Sequence, residues 1–94
     1  FIRQANYKQF MAYKQLTKLI REKTQRKETI ETKVLNLYEA SNPSFYYVYE
    51  VLGDYYAAIQ QTDTAITYWQ KALTMPIPKQ AEKVRIQQKI NKNQ

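Results

Sequence analysis

The chain contains no cysteine and no histidine, and only one glycine among its 94 residues. Without cysteine there are no disulfides and no thiolate metal sites. Without histidine, imidazole general-base catalysis, a histidine-containing triad and histidine-bound zinc are excluded within this chain. No apolar run approaches the roughly 18–20 residues that would span a bilayer. A single glycine also argues against a β-protein built on many tight turns. These absences leave localisation open between the cytoplasm and a bacterial periplasm. No cofactor is implied. The opening "FIRQANYKQF" has no initiator methionine, as in a C-terminal piece of a longer protein or a chain with a processed terminus.

What remains is basic and aromatic. The formal net charge of +7 conceals a segregation. Residues 1–33 carry nine Lys/Arg against Glu22, Glu28 and Glu31. Residues 34–70 carry only Glu39, Glu50, Asp54 and Asp63, and residues 71–94 carry six Lys/Arg against Glu82. Nucleic-acid recognition wants aromatic and basic residues interleaved on one surface. Here the tyrosines crowd the segment without positive charge, so the basic ends read as solvated helix faces. Binding of nucleic acid or an anionic membrane through those ends is the least favoured reading.

Apolar spacings of three and four, in a chain rich in Ala, Leu, Lys, Gln and Glu, predict an all-α fold. Phe10, Tyr13, Leu16 and Ile20 mark a first helix, and Ile30, Val34, Leu37 and Tyr38 a second. Asn42 as N-cap and Pro43 at the first helical position open a third, carrying Phe45, Tyr49, Leu52, Tyr56 and Ile59. Thr62 or Asp63 caps a fourth, with Ala65, Ile66, Trp69, Ala72 and Leu73. Pro78 starts a fifth, with Val84, Ile86 and Ile90. The pattern repeats. Tyr13-Leu16-Thr17-Ile20 aligns with Tyr49-Leu52-Gly53-Tyr56, Ile30-Val34-Leu37 with Ala65-Trp69-Ala72, and Pro43 with Pro78.

The stretch "YEVLGDYY" with "AITYWQKALTMPIP" resembles the tetratricopeptide repeat, whose signature is W-x₂-L-G-x₂-Y, then A-x₃-F, then a proline. Tyr49 stands in the tryptophan slot. Leu52, Gly53, Tyr56, Ala65 and Ala72 match, Trp69 replaces the second aromatic, and Pro76 falls near the closing proline. The resemblance implies helical hairpins in which Gly53 lets the paired helices close up against Ala65. It implies one domain over 1–94: a degenerate repeat over 1–43, a well-matched repeat over 44–77 and a capping helix over 78–94. Thr17, Ile30 and Leu37 depart from the pattern and imply a wider first hairpin. In the cap, Lys83, Arg85, Lys89 and Lys92 read as the polar outer face that ends a repeat stack.

In such repeats the first helices line a groove for a peptide. Lys14, Lys18 and Arg21 share one stripe on the first helix, and Tyr47, Glu50 and Asp54 share one on the third. These six are the candidate partner contacts, unless Lys14–Glu50 and Lys18–Asp54 merely neutralise each other across adjacent helices. Tyr46, Tyr47 and Tyr55 leave the main apolar stripe and fit an interface. Some members of the family clamp a terminal carboxylate, and Lys14 and Arg85 suit that role. Val51, Glu50 and Asp54 stand where it would need asparagine or positive charge. Glu50 and Asp54 are four apart, as paired carboxylates can be, but no nucleophile, metal cage or phosphate loop accompanies them. No catalytic, cofactor or metal residue is assigned.

The reading that follows is a non-catalytic protein or peptide interaction module, a scaffold rather than an enzyme. An alternative is a C-terminal helical appendage docked on an upstream catalytic domain. The tail "YWQKALTMPIPKQAEKVRIQQKI" faintly resembles helical tails of bacterial hydrolases of the acyl-coenzyme A:6-aminopenicillanate acyltransferase type. That resemblance implies an N-terminal cysteine nucleophile, which would have to lie outside this chain. The apolar start Phe1-Ile2, with Met11, predicts a further surface packed on the first helix, such as an upstream domain.

Overall fold

The helical spacing is realised as five α-helices. The computed structural model describes residues 4–94, with side chains from Lys8 onward, so Phe1 and Ile2 lie outside the described residues. The helices are α1 (Gln4–Arg26), α2 (Thr32–Ser41), α3 (Tyr46–Ala58), α4 (Thr62–Leu73) and α5 (Gln80–Asn93). They pack on one another in an all-α, helical-repeat-like arrangement, with no strand among the described residues.

The chain turns without glycine. α1 ends with Lys27 in the left-handed region (φ 56), where the Glu28 N–H reaches back to the Lys23 carbonyl at 3.0 Å. α3 ends the same way, with Gln60 at φ 69 and the Gln61 N–H on the Tyr56 carbonyl at 2.9 Å. Both are the left-handed helix stop that glycine usually occupies. Lys23 and Glu28 add an ion pair of 3.1 Å at the first stop. The one glycine is spent elsewhere, inside α3.

The predicted helix starts shift. Asn42 is the C-cap of α2, and α3 begins at Tyr46 with Phe45 extended before it. The extra residues let the Phe45 ring meet Tyr13 and Tyr46 edge-on, at 6.0 and 5.1 Å. Neither Thr62 nor Asp63 caps α4; Gln61 takes the cap position, and Asp63 lies in the first turn near the positive end of the helix dipole. Pro78 precedes α5, which begins at Gln80.

The core runs through all five helices: Ile20, Leu35, Tyr38, Tyr49, Leu52, Tyr55, Ala65, Trp69, Ala72, Ile86 and Ile90 are among its buried members. Of the repeat signature, Tyr56 is half-buried and Pro76 is exposed, while the others are buried. The atoms nearest to Gly53 across the hairpin belong to Trp69. A β-carbon on it would lie 2.9 Å from Trp69 Cε2 and nearer still to Cδ1 and Nε1, so the indole is the partner.

The first hairpin departs from the expected alignment. Phe10 and Leu37 are 47% and 61% exposed, and Tyr38, one turn beyond Val34, takes the place of Trp69. Its phenol meets Thr17 Oγ1 at 2.9 Å, opposite the residue that aligns with Gly53. The reason is length. α1 continues about one turn farther past Thr17 than α3 does past Gly53, so the return helix meets it later in the sequence. α1 and α2 also touch over less of their length than α3 and α4, in keeping with a bulky Tyr38 where the second hairpin interlocks indole and glycine.

The short α2 is tied from three sides. Lys71 of α4 pairs with Glu39 at 3.2 Å and lies over the Tyr49 ring at 4.6 Å. The Tyr49 hydroxyl donates to the Pro43 carbonyl at 2.6 Å. The Ile30 N–H, in the loop before α2, donates to the buried Tyr55 hydroxyl at 2.8 Å. Tyr55→Phe would strand that N–H and should cost about 1–2 kcal/mol, read as a lower urea midpoint at unchanged slope. Wild-type stability in that variant would show that the loop does not depend on this bond.

Candidate functional site

α1 packs on α3 and α5 packs on α4, and between α1, α3 and α5 lies a cleft of about 470 Å³. Its walls bring Arg21, Thr24 and Gln25 from α1 opposite Glu82, Arg85 and Lys89 from α5, with Tyr46, Tyr47, Glu50, Val51 and Asp54 of α3 between them. Four of the six expected contact residues, Arg21, Tyr47, Glu50 and Asp54, therefore meet in one place. Lys14 and Lys18 line an adjoining, more open depression that shares Arg21.

The expected pairing of Lys14 with Glu50 and Lys18 with Asp54 is not what forms. Glu50 turns to α5. Arg85 donates to both of its oxygens, Nε and Nη2 each at 2.7 Å, and Lys89 Nζ adds a third bond at 2.8 Å. Lys89 also reaches both oxygens of Asp54 at 3.0 Å. Asp54 Oδ1 accepts in turn from Trp69 Nε1 at 3.1 Å, which joins the network to the Gly53–Trp69 contact. A two-pronged guanidinium–carboxylate bond is the strongest ionic geometry side chains offer.

These contacts correct two expectations. Glu50 is only 2% exposed, so it is a structural wall of the cleft and not a free contact residue. Arg85 and Lys89 do not belong to a polar outer face; they bridge α5 to α3. Lys83 and Lys92 are exposed, as expected of such a face. The signal was present in the spacing: Arg85 and Lys89 are four apart, as are Glu50 and Asp54, at an offset of 35 residues. Tyr46 and Tyr55 are also buried, at 5% and 2% exposed, which leaves Tyr47 as the half-exposed tyrosine of the three.

The charges divide the cleft. Burial acts to raise the Glu50 carboxyl, but the hydrogen bonds and charges of Arg85 and Lys89 outweigh it and hold the group below its ordinary value. Hydrogen bonding to Glu50 raises the Arg85 guanidinium further, so this pair stays ionised. The Tyr46 phenol is pushed up to about 12, by burial and then by its hydrogen bond to the Glu82 carboxylate. Glu82 Oε2 is sealed from solvent, and the Tyr46 hydroxyl is the donor beside this carboxylate. On the opposite wall Lys14, Lys18 and Arg21 are exposed and form no ion pair among the described residues. The α3–α5 side is thus largely neutralised internally, while α1 presents uncompensated positive charge.

Chemically this arrangement suits binding. Both α3 carboxylates are engaged by cations, and among the described residues no group of His, Cys, Asp and Glu is placed to hold a metal ion. Among the described residues, no helix is long and apolar enough to cross a membrane. Comparison with protein-family models, with curated proteins and with solved structures finds no match.

Proposed function

We propose that the protein is a non-catalytic interaction module of the tetratricopeptide type, and that it holds an extended segment of a partner protein in the cleft between α1, α3 and α5. The observation that carries this reading is the cleft itself. Its floor is a helix whose two carboxylates are already paired with α5, and α1 offers cations with no ionic partner among the described residues. Preorganised walls of that kind reduce the ordering cost of binding. Tyr47, half-exposed at the floor, supplies apolar area together with a hydroxyl. α5 fits the role of a cap: Gln87, Gln88 and Asn91 are exposed on it.

Peptide capture tests it. An array of extended peptides titrated into the isotopically labelled chain should shift the backbone amides of the cleft helices and leave those of α4's outer face in place. Tyr47→Ala should weaken the best binder about tenfold, the loss of one interface aromatic. Shifts confined to α2 and α4, or binding indifferent to Tyr47, would count against the cleft.

A further inference from the structure

The helices α1, α3 and α5 share a stripe that is covered in two of them and bare in the first. On α3 it is Val48, Val51 and Tyr55, all buried, and the Tyr55 hydroxyl accepts from the Ile30 N–H of the first hairpin. On α5 it includes Ile86 and Ile90, buried where α5 packs on α4. The same stripe on α1, 36 residues before that of α3, is Ala12, Gln15 and Leu19. All three are exposed. Leu19 stands two residues from Arg21, hence about 200° round the helix from the cleft. On α2, the exposed Leu37 likewise stands two residues from Glu39, which turns to Lys71 of α4. Both leucines therefore look out of the end of the stack, away from the second hairpin.

We infer that this end face joins two copies of the chain, antiparallel through α1, about a twofold axis at Gln15. The exposed stripe on α1 runs Lys8, Ala12, Gln15, Leu19, Glu22 and Arg26. In an antiparallel pair centred on Gln15, Lys8 meets the partner's Glu22, and Ala12 leaves room for the partner's Leu19. The two Gln15 amides meet on the axis, where each donates to and accepts from the other. A slip of one turn in one direction sets Lys8 against Arg26, and in the other against Leu19. A parallel pair sets every charge against its own copy. The stripe is thus complementary to itself in one register, which is what a second copy requires. The cations that would repel, Lys14, Lys18 and Arg21, stand on the cleft side of α1. The other end of the stack offers no such surface, since Val84 of α5 is surrounded by exposed Gln87, Gln88 and Asn91. With Leu19 and Leu37 as its large apolar groups, the contact belongs to the small, reversible class.

Sedimentation equilibrium of the full chain tests this, over the concentrations that report a weak dimer, about 10 μM to 1 mM. A reversible monomer–dimer equilibrium is expected. Gln15→Glu sets two carboxylates on the axis, and Leu19→Gln removes the apolar contact. Each should weaken the dimer about tenfold. Lys8→Glu should weaken it as well, and adding Glu22→Lys should restore it, because the exchanged charges pair again. All four side chains are exposed, so melts of the dilute variants should match the parent. Val84→Gln, at the far end of the stack, should leave the dimer intact. A chain that stays monomeric at the highest concentration overturns the inference. So does a dimer that survives both Gln15→Glu and Leu19→Gln, or one that is lost with Val84→Gln. None of these outcomes bears on the peptide reading, because the cleft lies on the opposite side of α1.

Discussion

Glu50→Gln is expected to lower the stability of the domain by about 2–3 kcal/mol. For a chain of this size that corresponds to a fall in Tm of about 10–20 °C. The residue is 2% exposed, and it is the point through which α5 is bonded to α3. Glutamine keeps the shape but removes the charge, and its amide would turn N–H groups towards a guanidinium. The loss stays below that of a fully buried pair because Arg85 and Lys89 are 45% and 28% exposed and regain water.

The effect depends on pH, and its sign follows from the direction of the Glu50 shift. The folded carboxyl titrates below its ordinary value of 4.5. Its contribution is therefore complete above that value and is lost as pH falls through the folded one. Urea unfolding at descending pH should show the parent and Glu50→Gln curves separated at neutral pH and drawing together only as pH falls below 4.5. A gap that stays constant through the whole acid limb would mean that the ion pair contributes nothing to the difference.

Gly53→Ala should also destabilise, although replacing a helical glycine by alanine ordinarily gains about 1 kcal/mol. Here the new methyl would enter the Trp69 indole. That ring cannot give way cheaply, being 2% exposed and bonded through Nε1 to Asp54, which Lys89 holds in turn. Overpacking of about 1–3 kcal/mol thus outweighs the propensity gain, leaving a net loss of about 1–2 kcal/mol. Gly53→Leu should be worse. In a Trp69→Leu background the penalty should vanish, and the double-mutant cycle then measures the coupling directly. A raised Tm for Gly53→Ala in the parent would refute the interlock.

Much of the fold was legible because helical periodicity is local. The five helices, the single glycine inside α3 and the buried face of Tyr49, Leu52, Ala65 and Trp69 follow from residues three or four apart, whose neighbourhood a helix dictates by itself. The helix starts were less legible, since Asn42 and Pro43 suit a cap chemically, yet the ring of Phe45 had to reach Tyr13 before α3 began. The prominence of Leu37 also misled. Apolar spacing marks a face without saying what lies opposite, and the extra turn of α1 moved Tyr38 into that place.

The sequence by itself determined an all-helical chain and the stripes on which its charges stand. Lys14, Glu50 and Arg85 occupy equivalent positions on the alternate helices α1, α3 and α5, as do Lys18, Asp54 and Lys89, at offsets of 36 and 35 residues. Along the chain Glu50 stands at nearly the same offset from Lys14 on one side as from Arg85 on the other. Only the tertiary structure decided that Glu50 turns to α5, because a choice between equally spaced neighbours depends on which helix comes within side-chain reach. Arg85 and Lys89 come within 3 Å, and that proximity leaves the α1 cations facing the cleft without partners.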